Sequence, residues 1–110
     1  MARTLELNSD IILSRSDRYD LIINGKDNYT LYLPPCDTMV GIEVLMIHNG
    51  RVTLDTNSDD ILFLTTNSRK LTINSSEDSK GKNLIIESFR GDSWRVTSTT
   101  LNDSLLTFEE

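Results

Sequence analysis

Apolar and polar side chains alternate along the chain in short runs that recur about every ten residues. The alternation is clearest in Tyr29–Leu33, Arg51–Asp55 and Trp94–Ser98. A period of two is typical of half-buried β-strands, and no segment sustains the i, i+3, i+4, i+7 spacing of an amphipathic helix. The pattern therefore predicts nine strands, near Thr4–Leu7, Tyr19–Ile23, Tyr29–Leu33, Ile42–His48, Arg51–Asp55, Ile61–Thr65, Lys70–Ile73, Leu84–Phe89 and Trp94–Ser98.

Turn residues between these runs predict three β-hairpins. Asn49-Gly50 separates two strand-like runs by two residues, and Asn-Gly favours the positive φ values of a type I′ turn. Asn24–Asn28 is typical of a longer hairpin loop, and Arg90–Ser93 of a third hairpin. Together these turns predict strands that pair antiparallel with their neighbours in sequence.

The remaining segments fit one domain that spans residues 1–110, with an N-terminal arm at 1–14 and a C-terminal tail at 99–110. A chain of 110 residues is long enough for one hydrophobic core and short for two. Ser75–Lys82 is the most polar stretch, and we expect a mobile loop there. The leucines of the tail fit a short helical turn and a final strand equally well.

Composition supports an all-β fold. Ser, Thr and Asn supply 33 residues, which suits many turns, and Ile, Val and Thr supply 26, which suits pleated strands. Ala2 is the only alanine and glutamine does not occur, so residues that favour helices are scarce.

Charge, hydropathy and cysteine content exclude several classes of partner and covalent cross-link. The net charge of −6 argues against nucleic acid as the main partner, because phosphate backbones bind cationic surfaces. No apolar run approaches the length that spans a membrane, and the N-terminus lacks the pattern of a secretory signal. Cys36 is the only cysteine, so no intramolecular disulfide can form, and we expect a partly buried structural thiol.

The sequence offers little support for catalysis or metal binding. His48 is the only histidine, and one His with one Cys is too few for a zinc site within a single chain. Arg90-Gly91-Asp92 matches an adhesion tripeptide, but Gly-Asp is also ordinary hairpin chemistry. We therefore expect a protein that is not an enzyme and that uses no cofactor and no metal.

A larger pattern runs from Asp20 to Ser98. A strand ends in Leu33-Pro34-Pro35, Gly41 opens the next strand, and that strand is followed by Asn49-Gly50. Val52-Thr53-Leu54 follows, and a final hairpin with Gly91 leads into Trp94. This order of elements resembles a β-module of tailed-bacteriophage virion proteins, found in capsid decoration proteins, head fibres and tail fibres. The motif residues are Leu33, Pro34, Pro35, Gly41, Asn49, Gly50, Gly91 and Trp94.

The resemblance implies a small antiparallel β-sandwich or a triangular β-prism-like domain that assembles as a homotrimer. Because the module makes up most of the chain, we expect a capsid decoration (cement) protein that bridges subunits of the major capsid protein. It would be synthesised in the host cytoplasm and lie on the capsid exterior of the virion. The expected contact residues are apolar positions of the N-terminal arm: Leu5, Leu7, Ile11, Ile12 and Leu13.

Two other virion roles remain open. In a tail-fibre or head-fibre receptor-binding module, the loops Gly25–Asn28 and Ser75–Lys82 would contact a host surface glycan or receptor. In a tail or baseplate connector, the module would join other virion proteins.

Overall fold

The computed structural model describes residues 3–14, 19–36, 41–58, 60–63 and 67–110. Strands account for most of the regular structure in these ranges, together with 3-10 helices at Glu77–Ser79 and Asp103–Leu105. The all-β prediction is therefore confirmed. The strands are β1 (Thr4–Glu6), β2 (Ile11–Ile12), β3 (Leu21–Ile23), β4 (Tyr29–Tyr32), β5 (Gly41–Met46), β6 (Val52–Asp55), β7 (Leu62–Phe63), β8 (Lys70–Ile73), β9 (Lys82–Phe89), β10 (Ser93–Thr99) and β11 (Leu106–Glu109).

The strands form two sheets, and the chain crosses from one to the other at almost every turn. Sheet A has the order β1-β3-β5-β9-β10-β7, and sheet B has the order β11-β8-β6-β4-β2. In the first half of the chain, odd-numbered strands lie in sheet A and even-numbered strands in sheet B. Each strand therefore pairs with the strand one full coil away, as in a short β-solenoid.

This winding makes the pairing mixed, so the expected purely antiparallel sheets are wrong. β1, β3 and β5 are parallel to one another in sheet A, and β2, β4 and β6 are parallel in sheet B. A strand that returns to the same sheet after a full coil runs in its original direction, and parallel pairing follows. Antiparallel pairs join β5 to β9, β9 to β10, β6 to β8 and β8 to β11.

Two of the three predicted hairpins are crossovers between the sheets. Asn24–Asn28 leads from β3 in sheet A to β4 in sheet B, and Asn49-Gly50 leads from β5 to β6 in the same way. Neither Asn49 nor Gly50 has the positive φ that a type I′ turn requires. The third hairpin is confirmed: β9 and β10 pair antiparallel around a turn in which Arg90 and Gly91 have φ values of 60° and 76°.

The core lies between the sheets and is built from cross-strand rows of apolar side chains. Ile22, Val44 and Leu84 are in register on neighbouring strands of sheet A, and all are fully buried. Leu31, Leu54 and Leu71 form the corresponding row in sheet B. Burial of each such side chain contributes about 1.5–3 kcal/mol relative to exposure, so these rows fix which face of each strand points inward.

The polar segments are more regular than the sequence suggests. Within Ser75–Lys82, the 3-10 helix has a reciprocal cap between Ser76 and Ser79, and Ser79 is fully buried. In the tail, both alternatives occur in succession: a 3-10 helix at Asp103–Leu105 and then β11. Of the strand predicted at Ile61–Thr65, Leu62–Phe63 forms β7, and Leu64 lies outside the described residues.

Candidate functional site

The N-terminal segment forms the first coil of the fold, and its two strands lie at the same end of both sheets. β1 is the terminal strand of sheet A beside β3, and β2 is the terminal strand of sheet B beside β4. We call this pair, Thr4–Glu6 with Ile11–Ile12, the open edge.

Part of the backbone of the open edge points away from the protein. At the two ends of β1, the carbonyl of Arg3 accepts from the N–H of Leu21, and the N–H of Leu7 donates to the carbonyl of Ile23. The odd-numbered residues of this segment therefore direct their backbone groups toward β3. On β2, the N–H of Leu13 bonds to Tyr32. Since bonding sides alternate along a parallel strand, the backbone groups of Thr4, Glu6 and Ile12 are directed outward. Outward-directed groups of this kind can pair with another strand.

The side chains expected to contact a partner divide between core and surface. Leu7 and Leu13 are 2% and 4% exposed and belong to the core, while Leu5 and Ile11 are half-buried and pack against it. Ile12 is 68% exposed and is the most exposed large apolar side chain among the described residues. Of the five predicted contact residues, Ile12 alone offers a largely free side chain to a partner. The segment is therefore an integral coil of the fold and not an arm separate from it.

A buried asparagine fixes the corner next to the open edge. The Asn24 side chain donates to the carbonyl oxygens of His48 (2.7 Å) and Gly50 (2.8 Å). Its carbonyl oxygen accepts from the N–H groups of Ile47 (2.7 Å) and His48 (2.9 Å). These four bonds use both amide donors and both acceptor positions, so Asn24 ties the second coil to the third.

The motif residues that carry the resemblance lie at strand ends, at turns and in the core. Leu33, Pro34 and Cys36 are buried just after β4, as expected for a strand end and a structural thiol, while Pro35 is exposed. Gly41 begins β5, after residues 37–40 that lie outside the described ranges. Gly50 donates its N–H to the carbonyl of Gly25, and the confirmed hairpin contains Gly91. Trp94 lies in β10 with its ring fully buried, so it fills the core.

A shallow cleft of about 320 Å³ adjoins the open edge at the same corner. Its polar wall comes from Glu6 and from Lys26 and Asp27 of the second-coil loop, and the Tyr29 ring supplies an aromatic wall. Glu6 also contacts His48 across the corner, with 2.8 Å between Oε1 and Nε2. Both partners are accessible to solvent, so the pair contributes little stability, although it holds β1 against the third coil.

The sequence analysis missed a second polar surface, on the outer face of sheet B. Thr30, Thr53, Thr72 and Thr107 are in register on β4, β6, β8 and β11 and form one row across the sheet. We call this row and its outward neighbours the threonine face. Each threonine sits between apolar or aromatic residues that are buried or half-buried, and that alternation is the available signal. The strand order that brings the four together involves pairs far apart in sequence.

No group of three or more potential metal ligands occurs among the residues that the structure describes. In the same part of the chain, no helix has the length and apolar character needed to cross a membrane. Comparison of the chain with family models, curated proteins and solved structures finds no match.

Proposed function

We propose that the chain is a structural protein of a tailed-bacteriophage virion that decorates the capsid exterior as a homotrimer and binds the major capsid protein. Two features support the proposal. The sequence pattern from Asp20 to Ser98 resembles the virion β-module, and the chain is all-β with two sheets, although these sheets are mixed and not purely antiparallel.

The open edge is the observation that carries the proposal. Two terminal strands, one in each sheet, present outward backbone groups side by side, with the exposed Ile12 next to them. An extended segment of a capsid subunit could pair with either strand, so that main-chain bonds supply affinity and the Ile12 side chain supplies apolar contact. Terminal strands can pair with a strand of another chain, and among the described residues no further strand pairs with β1 or β2 on the outward side, so the open edge suits a surface that is covered in the assembled state.

The mechanism is burial of interface area, and it requires no catalytic group. A trimer places three copies of the open edge around one symmetry axis and can match a threefold position on the capsid. Once one site of the trimer is bound, the other two are held at high effective concentration near the capsid. The affinity of the trimer therefore exceeds that of a single site, and a moderate single-site affinity is sufficient for stable binding. Bridging neighbouring capsid subunits in this way would stabilise the shell against internal DNA pressure.

The cleft beside the open edge favours a second candidate, a receptor-binding module at a fibre tip. Lys26 and Asp27 supply charged hydrogen-bonding groups there, and Tyr29 supplies an aromatic surface. Convergent polar groups beside an aromatic wall are typical of small-ligand sites. In this alternative the cleft would bind a host surface glycan, and the open edge would contact another fibre protein.

Co-sedimentation with purified capsids that lack the protein tests the proposal. We expect saturable binding to expanded capsids and a trimeric mass by light scattering at micromolar concentration. Imaging with a labelled copy should place the protein on the capsid exterior. A monomer that binds no capsid would contradict the proposal, and a label at a fibre tip would favour the second candidate.

A further inference from the structure

The threonine face carries a row of hydroxyl groups across sheet B. Thr30 is in register with Thr53, Thr53 with Thr72, and Thr72 with Thr107, so the row crosses four strands. Neighbouring strands lie about 4.8 Å apart, so the hydroxyl-bearing side chains repeat at roughly that spacing. Thr107 is exposed and the other three are partly exposed, while the adjacent positions on these strands hold apolar or aromatic residues that are buried or half-buried.

Bonds within the row fix several hydroxyls and leave others able to bind. The Oγ1 atoms of Thr53 and Thr72 are hydrogen-bonded to each other at 3.1 Å. Thr107 Oγ1 accepts from the Asn74 side-chain amide, also at 3.1 Å. A hydroxyl has one donor and two acceptor positions, so each of these groups keeps capacity for a ligand. Because the threonines are β-branched residues on paired strands, little conformational entropy is lost when they bind.

Longer side chains border the row and enclose a depression of about 310 Å³. Arg51, Lys70 and Glu109 line it together with the threonines and Asn74. Tyr32 is in register with Ile12 and flanks the row on the β2 side. The face therefore combines hydroxyl, amide and charged hydrogen-bonding groups with a partly exposed aromatic ring.

Charge on this face is balanced. The two cations in the depression, Arg51 and Lys70, are accompanied by Glu109, and the nearby Asp55 carboxylate lies 3.9 Å from Arg69. The chain as a whole carries a charge of −6. Neither the local nor the overall charge favours a polyanion, so the face suits a neutral ligand that donates and accepts many hydrogen bonds.

We propose that the threonine face binds a neutral glycan chain. The hydroxyls of such a chain match the donor and acceptor groups of the row, and Arg51 and Glu109 supply charge-assisted hydrogen bonds. The C–H faces of the sugar rings would pack on the partly exposed ring of Tyr32. The proposal does not depend on capsid binding, because the row lies on the outer face of sheet B and the outward backbone groups of the open edge lie at its side.

Titration with neutral hexasaccharides tests the proposal. The full-length protein is titrated by calorimetry with cello-, malto-, xylo- and manno-hexaose, and binding to a panel of neutral glycans is measured in parallel. We expect at least one ligand to bind with a Kd that changes little between low and high salt, since no ion pair with the ligand is involved.

Two substitutions test whether the glycan binds at the threonine face. Thr53→Val keeps the β-branched shape and removes one hydroxyl, so we expect the Kd to rise about three- to tenfold. Thr97→Val is the matched control, because Thr97 is an exposed threonine on β10 of the other sheet, and it should leave the Kd unchanged. Thermal unfolding of both variants checks that the fold is retained.

Four outcomes would overturn the proposal. The first is that no neutral glycan binds, and the second is that binding is the same in wild type and Thr53→Val. The third is that Thr53→Arg dissociates an oligomer of the wild-type protein, because the face would then be an interface between copies. Binding to acidic polysaccharides alone, with strong salt dependence, would likewise contradict a neutral ligand.

Discussion

The Asn24 side chain bonds both to the backbone N–H and to the backbone carbonyl of His48, with distances of 2.9 Å and 2.7 Å. The two residues are 24 positions apart and occupy equivalent corners of successive coils. Asn24 is fully buried. Its side-chain amide supplies hydrogen-bond partners to buried backbone N–H and carbonyl groups of the third coil, which a neighbouring strand would supply elsewhere in a sheet.

Asn24→Ala should destabilise the protein by about 2–4 kcal/mol, because it leaves N–H and carbonyl groups of the third coil without partners. At this chain length the melting temperature should fall by roughly 4 °C for each kcal/mol. Asn8→Ala, at an exposed bend of the first coil, is the control and should change the melting temperature little. Equal melting temperatures for the two variants would show that the Asn24 bonds contribute no stability.

Gly50→Ala tests the close approach of successive corners. A Cβ atom at Gly50 would overlap the carbonyl oxygens of Asp27 and Gly25, so the backbone of one coil would have to move. We expect a loss of about 2 kcal/mol or more in urea unfolding. At Gly41 the nearest heavy atom to such a Cβ is 3.6 Å away, so Gly41→Ala should be neutral or slightly stabilising.

Nine of the eleven strands in the described residues match strands predicted from the sequence, whereas β2 was not predicted and β11 was one of two alternatives for the tail. Of the strand partners, only the β9–β10 hairpin was predicted. Alternation identifies inward positions such as Leu31 and Leu54 because burial acts on each strand locally. Asn24-Gly25 and Asn49-Gly50 have the composition of hairpin turns, yet both connect different sheets. The difference depends on contacts with the previous coil, about twenty residues earlier, and a local turn signal carries no information on them.

The candidate surfaces were only partly predictable for the same reason. Leu7 and Ile12 are equally apolar in the sequence, but Leu7 points into the core and Ile12 to solvent. The threonine face brings together residues from position 30 to position 107, and it exists only through the strand order of sheet B. The sequence shows that a threonine alternates with apolar residues on one strand. It does not show that four such strands lie side by side with their threonines in register.

Leu7→Ala and Ile12→Ala should separate the two roles of the first coil. Loss of the buried Leu7 side chain should cost about 2–4 kcal/mol, while Ile12→Ala should stay within about 0.5 kcal/mol. Both values can be measured by chemical unfolding. Comparable losses at the two positions would mean that Ile12 packs against the protein and is not free for a partner.

The Arg90-Gly91-Asp92 turn should behave as a hairpin and nothing more. Asp92 is exposed, so Asp92→Asn should leave stability within about 0.5 kcal/mol and capsid binding unchanged. Gly91→Ala should cost about 1 kcal/mol, because Gly91 has a φ of 76°. A large loss of virion attachment in folded Asp92→Asn would instead identify the turn as a contact site.

Capsid affinity of Ile12 variants tests the central claim, that the open edge binds the capsid by strand addition. Ile12→Pro removes an outward N–H that the parallel ladder does not use, and edge strands tolerate proline. Ile12→Thr keeps that N–H and removes apolar surface. With both variants folded and in the wild-type oligomeric state, the account predicts that Ile12→Pro lowers co-sedimentation affinity at least tenfold and that Ile12→Thr has a smaller effect. Wild-type affinity in Ile12→Pro would contradict the account.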